Sequence, residues 1–150
     1  MCEEHQIPWE AAWGKGKLIA ELFEKLVEHT LIQPTFVTDF PLETSPLAKK
    51  SPENGALVRR FEIYVGSAEI GNAFSEINDP IDQRERFIQQ GAMRAGGDVE
   101  AHPMDEDFLR ALEFGMPPSG GVGMGIDRLL MNLTGLNIRE TILFPLVKPE

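Results

Sequence analysis

Asn72, Phe74 and Glu76 stand at alternate positions of one run, which puts them on one face of a strand, while Gly71, Ala73 and Ser75 share the other. A carboxamide, an aromatic ring and a carboxylate in line suit a ligand that carries an ammonium group on an aliphatic stem. By periodicity alone, the same strip also describes an ordinary solvent-facing strand. Two further carboxylates, Glu62 and Glu69, flank the turn just before this strip. Hard cations such as magnesium take oxygen ligands, and one or two carboxylates plus substrate phosphates often hold them. Strict alternation sets Glu69 on the face opposite Asn72 and Glu76, so joining the two carboxylates requires a bulge near Gly71.

A third group is Arg128, delivered by the glycine-rich segment Ser119–Ile126 to the start of a helical run. Small residues let a flat ligand lie close to the backbone, and an arginine at that place can stack on a base or bind phosphate. No Gly-Lys-Ser/Thr follows, and the full spacing of a dinucleotide fingerprint is missing, which disfavours those nucleotide folds.

These groups need elements to hold them. Leu18, Ile19, Leu22, Phe23, Leu26 and Val27 recur at helical spacing and predict an amphipathic helix from Lys15 to His29, with Glu21 and Lys25 as a supporting pair. Thr35–Phe40 is β-branched and aromatic and predicts a strand, and residues 45–55 predict a surface loop. Phe61, Ile63 and Val65 alternate with Arg60, Glu62 and Tyr64, and Gly66-Ser67-Ala68 then turns the chain into the Asn72 strand as a β-hairpin. Asp79-Pro80 caps a helix that Gly96-Gly97 ends, and Asp105 caps another that stops at Gly115. A glycine-rich strand running into the helix of Asp127-Arg128 completes a pattern of mostly antiparallel strands with helices around them, an α+β domain without internal repeats.

Composition narrows the classes. With 150 residues, 42% of them hydrophobic, the chain has the makeup of one globular domain. Its net charge of −10 supplies no global field for a phosphate backbone, and the doublets Lys49-Lys50 and Arg59-Arg60 read as solvated or locally paired. Cys2 is the sole cysteine, which rules out an intrachain disulfide and fits a reducing cytosol. His5, His29 and His102 share no ligand spacing, so a zinc site is not expected and surface positions are. There is no signal-peptide pattern and no apolar run of membrane-spanning length, so the expectation is a cytoplasmic protein with no membrane partner.

The pieces, in this order, resemble a known family. Gly123-Met124-Gly125-Ile126-Asp127-Arg128-Leu129 is similar to the third signature motif of the class II aminoacyl-tRNA synthetases. Here it is followed by Ile138-Arg139-Glu140-Thr141-Ile142-Leu143-Phe144-Pro145, as in the aspartate, asparagine and lysine subgroup. The runs Glu69-Ile70-Gly71-Asn72-Ala73-Phe74-Ser75-Glu76-Ile77-Asn78-Asp79-Pro80 and Ser45-Pro46-Leu47-Ala48-Lys49-Lys50 resemble the lysine enzymes of bacterial type, and the likeness begins around Trp13-Gly14-Lys15. It implies the family's antiparallel sheet with flanking helices, with residues 1–150 as the C-terminal portion of the catalytic domain. The first two motifs and the anticodon-binding domain cannot be found in this sequence.

The resemblance further implies roles. Arg128 matches the motif-three arginine that lies over the adenine of ATP and reaches its γ-phosphate. Glu62 and Glu69 match carboxylates that hold Mg2+ with ATP, Asn72, Phe74 and Gly125 match residues beside the lysine, and Glu76 matches the acid paired with its ε-ammonium. The implied activity is ATP-dependent formation of lysyl-adenylate and transfer to the acceptor end of tRNA-Lys. The implied partners are ATP, L-lysine and that tRNA, with a homodimer in the complete enzyme. Two other readings share these residues: the paralogous ligase that lysylates elongation factor P, whose motif usually has alanine at the place of Gly123, and a non-catalytic synthetase-like binding module. The missing motifs predict a chain that alone is inactive or weakly active, with apolar sheet surfaces left open.

Overall fold

The computed structural model describes residues 1–11, 13–99 and 101–146. A four-stranded antiparallel sheet in the order β1-β2-β3-β4 forms its centre. The strands are β1 (Thr35–Thr38), β2 (Arg60–Val65), β3 (Ala68–Ser75) and β4 (Gly120–Met124). The helices are α1 (Lys15–Leu26), α2 (Pro80–Ala95), α3 (Glu106–Glu113), α4 (Ile126–Thr134) and the single turn α5 (Ile138–Thr141).

Local chemistry sets the element ends much as the sequence predicts. The Asp79 side chain accepts from the Ile81 N–H with Pro80 in the first turn, and Asp105 accepts from the Phe108 N–H. Helix α1 stops earlier than expected, because the chain tightens into a 3-10 turn at Glu28–Thr30, where the Thr30 hydroxyl donates to the Val27 carbonyl at 2.6 Å. The expected Glu21–Lys25 pair does not form. Glu21 lies 3.6 Å from Lys17, one turn earlier, and Lys25 is drawn to its neighbour Glu24 at 2.5 Å. Strand β1 ends at Thr38 rather than Phe40, because Asp39 turns the chain with a left-handed φ of 64°.

The β2–β3 hairpin closes through Gly66 and Ser67, both at left-handed φ (59° and 65°), as a two-residue turn between right-twisted strands requires. Its tip docks on the segment after α1, where Gly66 N–H donates to the Ile32 carbonyl at 3.0 Å and the Ser67 hydroxyl to that of His29 at 2.9 Å. Beyond the turn the register breaks. Tyr64 faces Glu69 but Ile63 faces Gly71, so Ile70 is the extra residue of a β-bulge.

The two sheet faces differ in cover. Helix α1 lies over one face, where Phe23 meets Tyr64 edge-on at 5.9 Å. The other carries Phe36, Phe61, Ile63, Ala73, Val122 and Met124, with Phe36 (66%) and Val122 (71%) largely exposed. Exposure extends through Leu133, Leu143 and Phe144 at the C-terminal end, so the expectation of open apolar surface holds. Helices α2 and α3 pack on each other through Phe87 and Phe108, with Leu109 and Leu112 buried beneath them.

Candidate active site

The helix-covered face gathers the groups singled out from the sequence. On β2, Arg60, Glu62 and Tyr64 point the same way, and their register partners Phe74, Asn72 and Glu69 on β3 share that face. The bulge at Ile70 achieves this, since it shifts Glu69 from the parity it would hold in a regular strand to the side of Glu62. Across β3 the register puts Gly123 opposite Asn72 and Gly121 opposite Phe74. No side chain from β4 therefore covers the aromatic and the amide.

The Glu62 carboxylate is deeply buried (7% exposed) and held on both oxygens. Arg60 ion-pairs with Oε1, and the Tyr64 hydroxyl donates to Oε2 at 2.8 Å. Glu69, a third exposed, is pushed above the usual glutamate range first by burial and then by the negative charge of Glu62, while Arg128 and Arg60 pull it back. Burial, followed by the hydrogen bond to Glu62, raises the Tyr64 hydroxyl pKa. Both glutamates, Arg60, Tyr64, Phe23 and Val37 line a cavity of about 320 Å³ beneath α1.

Arg128 reaches this cluster from the start of α4. The Gly125 N–H donates to the bulge carbonyl of Ile70 at 2.9 Å, which fixes where the helix begins. The Arg128 Nη1 then donates to the Glu69 carbonyl at 2.8 Å and lies 3.8 Å from its carboxylate, leaving the side chain about half exposed. A Cβ at Gly125 would touch only the Arg128 stem, at 3.6 to 3.8 Å.

At the other end of the strip, Glu76 follows the last residue of β3, with its N–H donating to the Ser119 carbonyl at 3.0 Å. Its carboxylate is raised by burial alone and has no hydrogen-bond or ion-pair partner among the described residues. It folds back over β4, into space that a Cβ on Gly121 would contest at 1.9 Å.

The basic doublets are paired locally or exposed, as expected. Lys49 donates to Asn78 at 2.7 Å, Lys50 pairs with Asp82 at 3.0 Å and Arg59 is exposed, in line with solvated or locally paired doublets. Arg60, paired with Glu62, also lies at the centre of the site, with Nε donating to the Asn72 Oδ1 at 3.2 Å, Nη1 donating to the Ser45 hydroxyl at 2.9 Å, and its guanidinium 4.5 Å from the Phe40 ring centre. Its even-numbered parity with Glu62 and Tyr64 was the signal for Arg60. His5, His29 and His102 are exposed, and no described helix is long and apolar enough to cross a membrane.

Comparison with known proteins places these residues in context. Residues 9–148 match the model of the class II tRNA synthetases (D, K and N). The lysine–tRNA ligase of Carboxydothermus hydrogenoformans is 56% identical over 149 residues, 99% of this chain and 30% of that protein. Those of Syntrophomonas wolfei and Moorella thermoacetica are each 58% identical over 142 residues, 94% of this chain and 29% of each protein. The chain thus spans about 30% of the length of the curated relatives it matches.

Proposed function

This chain belongs to the class II tRNA synthetases of the D, K and N group, and from that premise we propose that it carries the lysine-recognising and nucleotide-carboxylate part of a lysine–tRNA ligase active site. The observation that carries the reading is the Glu76 carboxylate, desolvated and without a cation of its own, at one end of a strip whose other end holds Glu62, Glu69 and Arg128. A partly buried carboxylate without a partner favours a ligand that brings the positive charge.

The spacing supports lysine as the ligand. The Glu76 carboxylate lies over Gly121, which is level with Phe74, one strand repeat from Asn72. Two residues of strand are about 7 Å, close to the reach of an extended lysine side chain. The ammonium then meets Glu76, the methylenes lie along Phe74, and the α-carboxylate falls at Asn72, next to the paired glutamates. Asparagine or aspartate would end short of Glu76.

The two glutamates fit a magnesium ion by their donor chemistry: hard oxygens facing one cavity. Among the described residues no three acidic, histidine or cysteine side chains converge on a point, so Glu62 and Glu69 would hold the ion together with nucleotide phosphates. When bound, magnesium neutralises phosphate charge. Arg128, half exposed at the rim of the same cluster, would lie against the nucleotide and stabilise its phosphates. In the first step a lysine carboxylate oxygen bonds to the α-phosphorus of ATP as the bond to pyrophosphate breaks. In the second, a terminal hydroxyl of tRNA takes the lysyl group and AMP leaves. The chain's residues act by orientation and charge, with no covalent intermediate on the protein.

Saturation-transfer NMR on the 150-residue chain tests the strip directly. L-lysine is expected to show transfer from its methylenes that Glu76→Gln removes, and L-norleucine, which lacks the ε-ammonium, should show none. Equal transfer from both amino acids would refute the assignment of Glu76.

A further inference from the structure

Among the described residues, Arg60 alone hydrogen-bonds to both halves of the site. Its Nε donates to the Asn72 Oδ1 at 3.2 Å, and Nη2 pairs with the Glu62 Oε1. The guanidinium is itself fixed from behind, by the Ser45 hydroxyl at 2.9 Å, the Thr44 carbonyl at 3.5 Å and the face of Phe40 at 4.5 Å. Ser45 is buried, and the Arg60 side chain is only 19% exposed. This is a rigid planar fork with each edge assigned, a task that a flexible ammonium cannot take over.

The contact also fixes the sense of the Asn72 amide. With Oδ1 engaged by Arg60, the amide keeps its N–H groups uncommitted, since Nδ2 has no protein acceptor among the described residues. An amide so oriented donates, and therefore selects a carboxylate oxygen over an ammonium at that end of the strip.

We propose that Arg60 is a positioning residue of this site: it turns the Asn72 amide to donate to the substrate carboxylate and holds the Glu62 carboxylate beside it. One guanidinium thereby registers the amino-acid half of the site against the nucleotide half. The proposal rests on the lysine and ATP reading of this face and deepens it, since neither the charge of Arg60 nor its packing need touch a substrate. Pairing the amide and the carboxylate through one rigid group sets the distance between the reacting carboxylate and the phosphate, where small misplacement costs rate.

The test uses Arg60→Lys and Asn72→Ala, singly and together, with two readouts. In the 150-residue chain, the side-chain NH2 signals of Asn72 and the Nε–H signal of Arg60 are followed by NMR. The amide signals are expected to lie away from their free-amide positions in the unsubstituted chain and to move towards them in Arg60→Lys while the backbone spectrum stays folded. In a full-length hybrid, where residues 9–148 replace the matching segment of the C. hydrogenoformans ligase, lysine-dependent pyrophosphate exchange is measured. Each single substitution is expected to raise the lysine KM about tenfold, and the double substitution to raise it little further, because both remove one coupled contact. A purely structural arginine would instead lower the melting temperature and act additively with Asn72→Ala. Unchanged Asn72 amide signals in Arg60→Lys, or additive effects on KM, would overturn the proposal. If the unsubstituted hybrid shows no lysine-dependent exchange, the site reading itself fails, and the NMR signals alone then decide whether Arg60 orients the amide.

Discussion

The Glu76 carboxylate occupies the space that a side chain at position 121 would need, with Oε1 1.9 Å from where a Cβ on Gly121 would stand. The glycine is thus part of the carboxylate's seat, and the two residues act as one feature on adjacent strands.

Gly121→Ala is therefore expected to separate binding from folding. The atom it displaces is the free end of a flexible side chain, so the strand pairing survives and the melting temperature moves little. The carboxylate, however, must swing away from its place over position 121, and lysine affinity should fall about tenfold or more, as expected when an ammonium loses a desolvated partner. Calorimetric titration with lysine beside a thermal melt measures both. Loss of stability with unchanged affinity would show that Gly121 serves packing alone.

Glu76→Gln carries a pH signature. Burial raises the carboxylate above its ordinary value, so the folded state holds its proton more tightly than the unfolded chain. Stability is full below the unfolded glutamate value and is lost as pH rises through the raised folded value. Glutamine has no such titration. The melting temperature of Glu76→Gln should match that of the parent chain in acid and exceed it once the pH has risen above the window. A difference of constant size, or of opposite sign, would contradict the assigned burial effect.

Arg128→Ala should leave the fold intact, because its side chain is about half exposed and bonds only at Glu69. In a complete enzyme containing this segment, the loss of a positioned cation at the phosphates should slow pyrophosphate exchange by roughly 2 to 4 kcal/mol of barrier. Stopped-flow or isotope exchange against a matched thermal melt checks it. An unchanged rate from a folded variant would remove Arg128 from the reaction.

Much of the candidate site was legible in the sequence because strand parity is a strong constraint: Asn72 and Phe74 share a face as their spacing requires, and Glu76 reaches the same side over Gly121. The caps at Asp79 and Asp105 were equally plain, since each is a local interaction of one side chain with the next turn. The bulge was inferred only as a requirement, because a register break depends on the partner strand; the structure places it at Ile70. Arg60 escaped notice because the doublet Arg59-Arg60 reads as surface charge, and only the approach of Ser45, Phe40 and Asn72 from other segments makes it interior. The apolar face of Phe36, Val122 and Met124 shows no such long-range closure among the described residues.

Activation specificity tests the account most directly. In the hybrid ligase carrying residues 9–148, pyrophosphate exchange is measured with lysine, asparagine and aspartate in turn, with and without Glu76→Gln. The account predicts exchange with lysine, little with the shorter amino acids, and a fall of about thirtyfold or more in kcat/KM for lysine on the Glu76 substitution, equivalent to about 2 kcal/mol or more. Lysine-dependent exchange that is indifferent to Glu76, or activation of aspartate or asparagine in place of lysine, would contradict it.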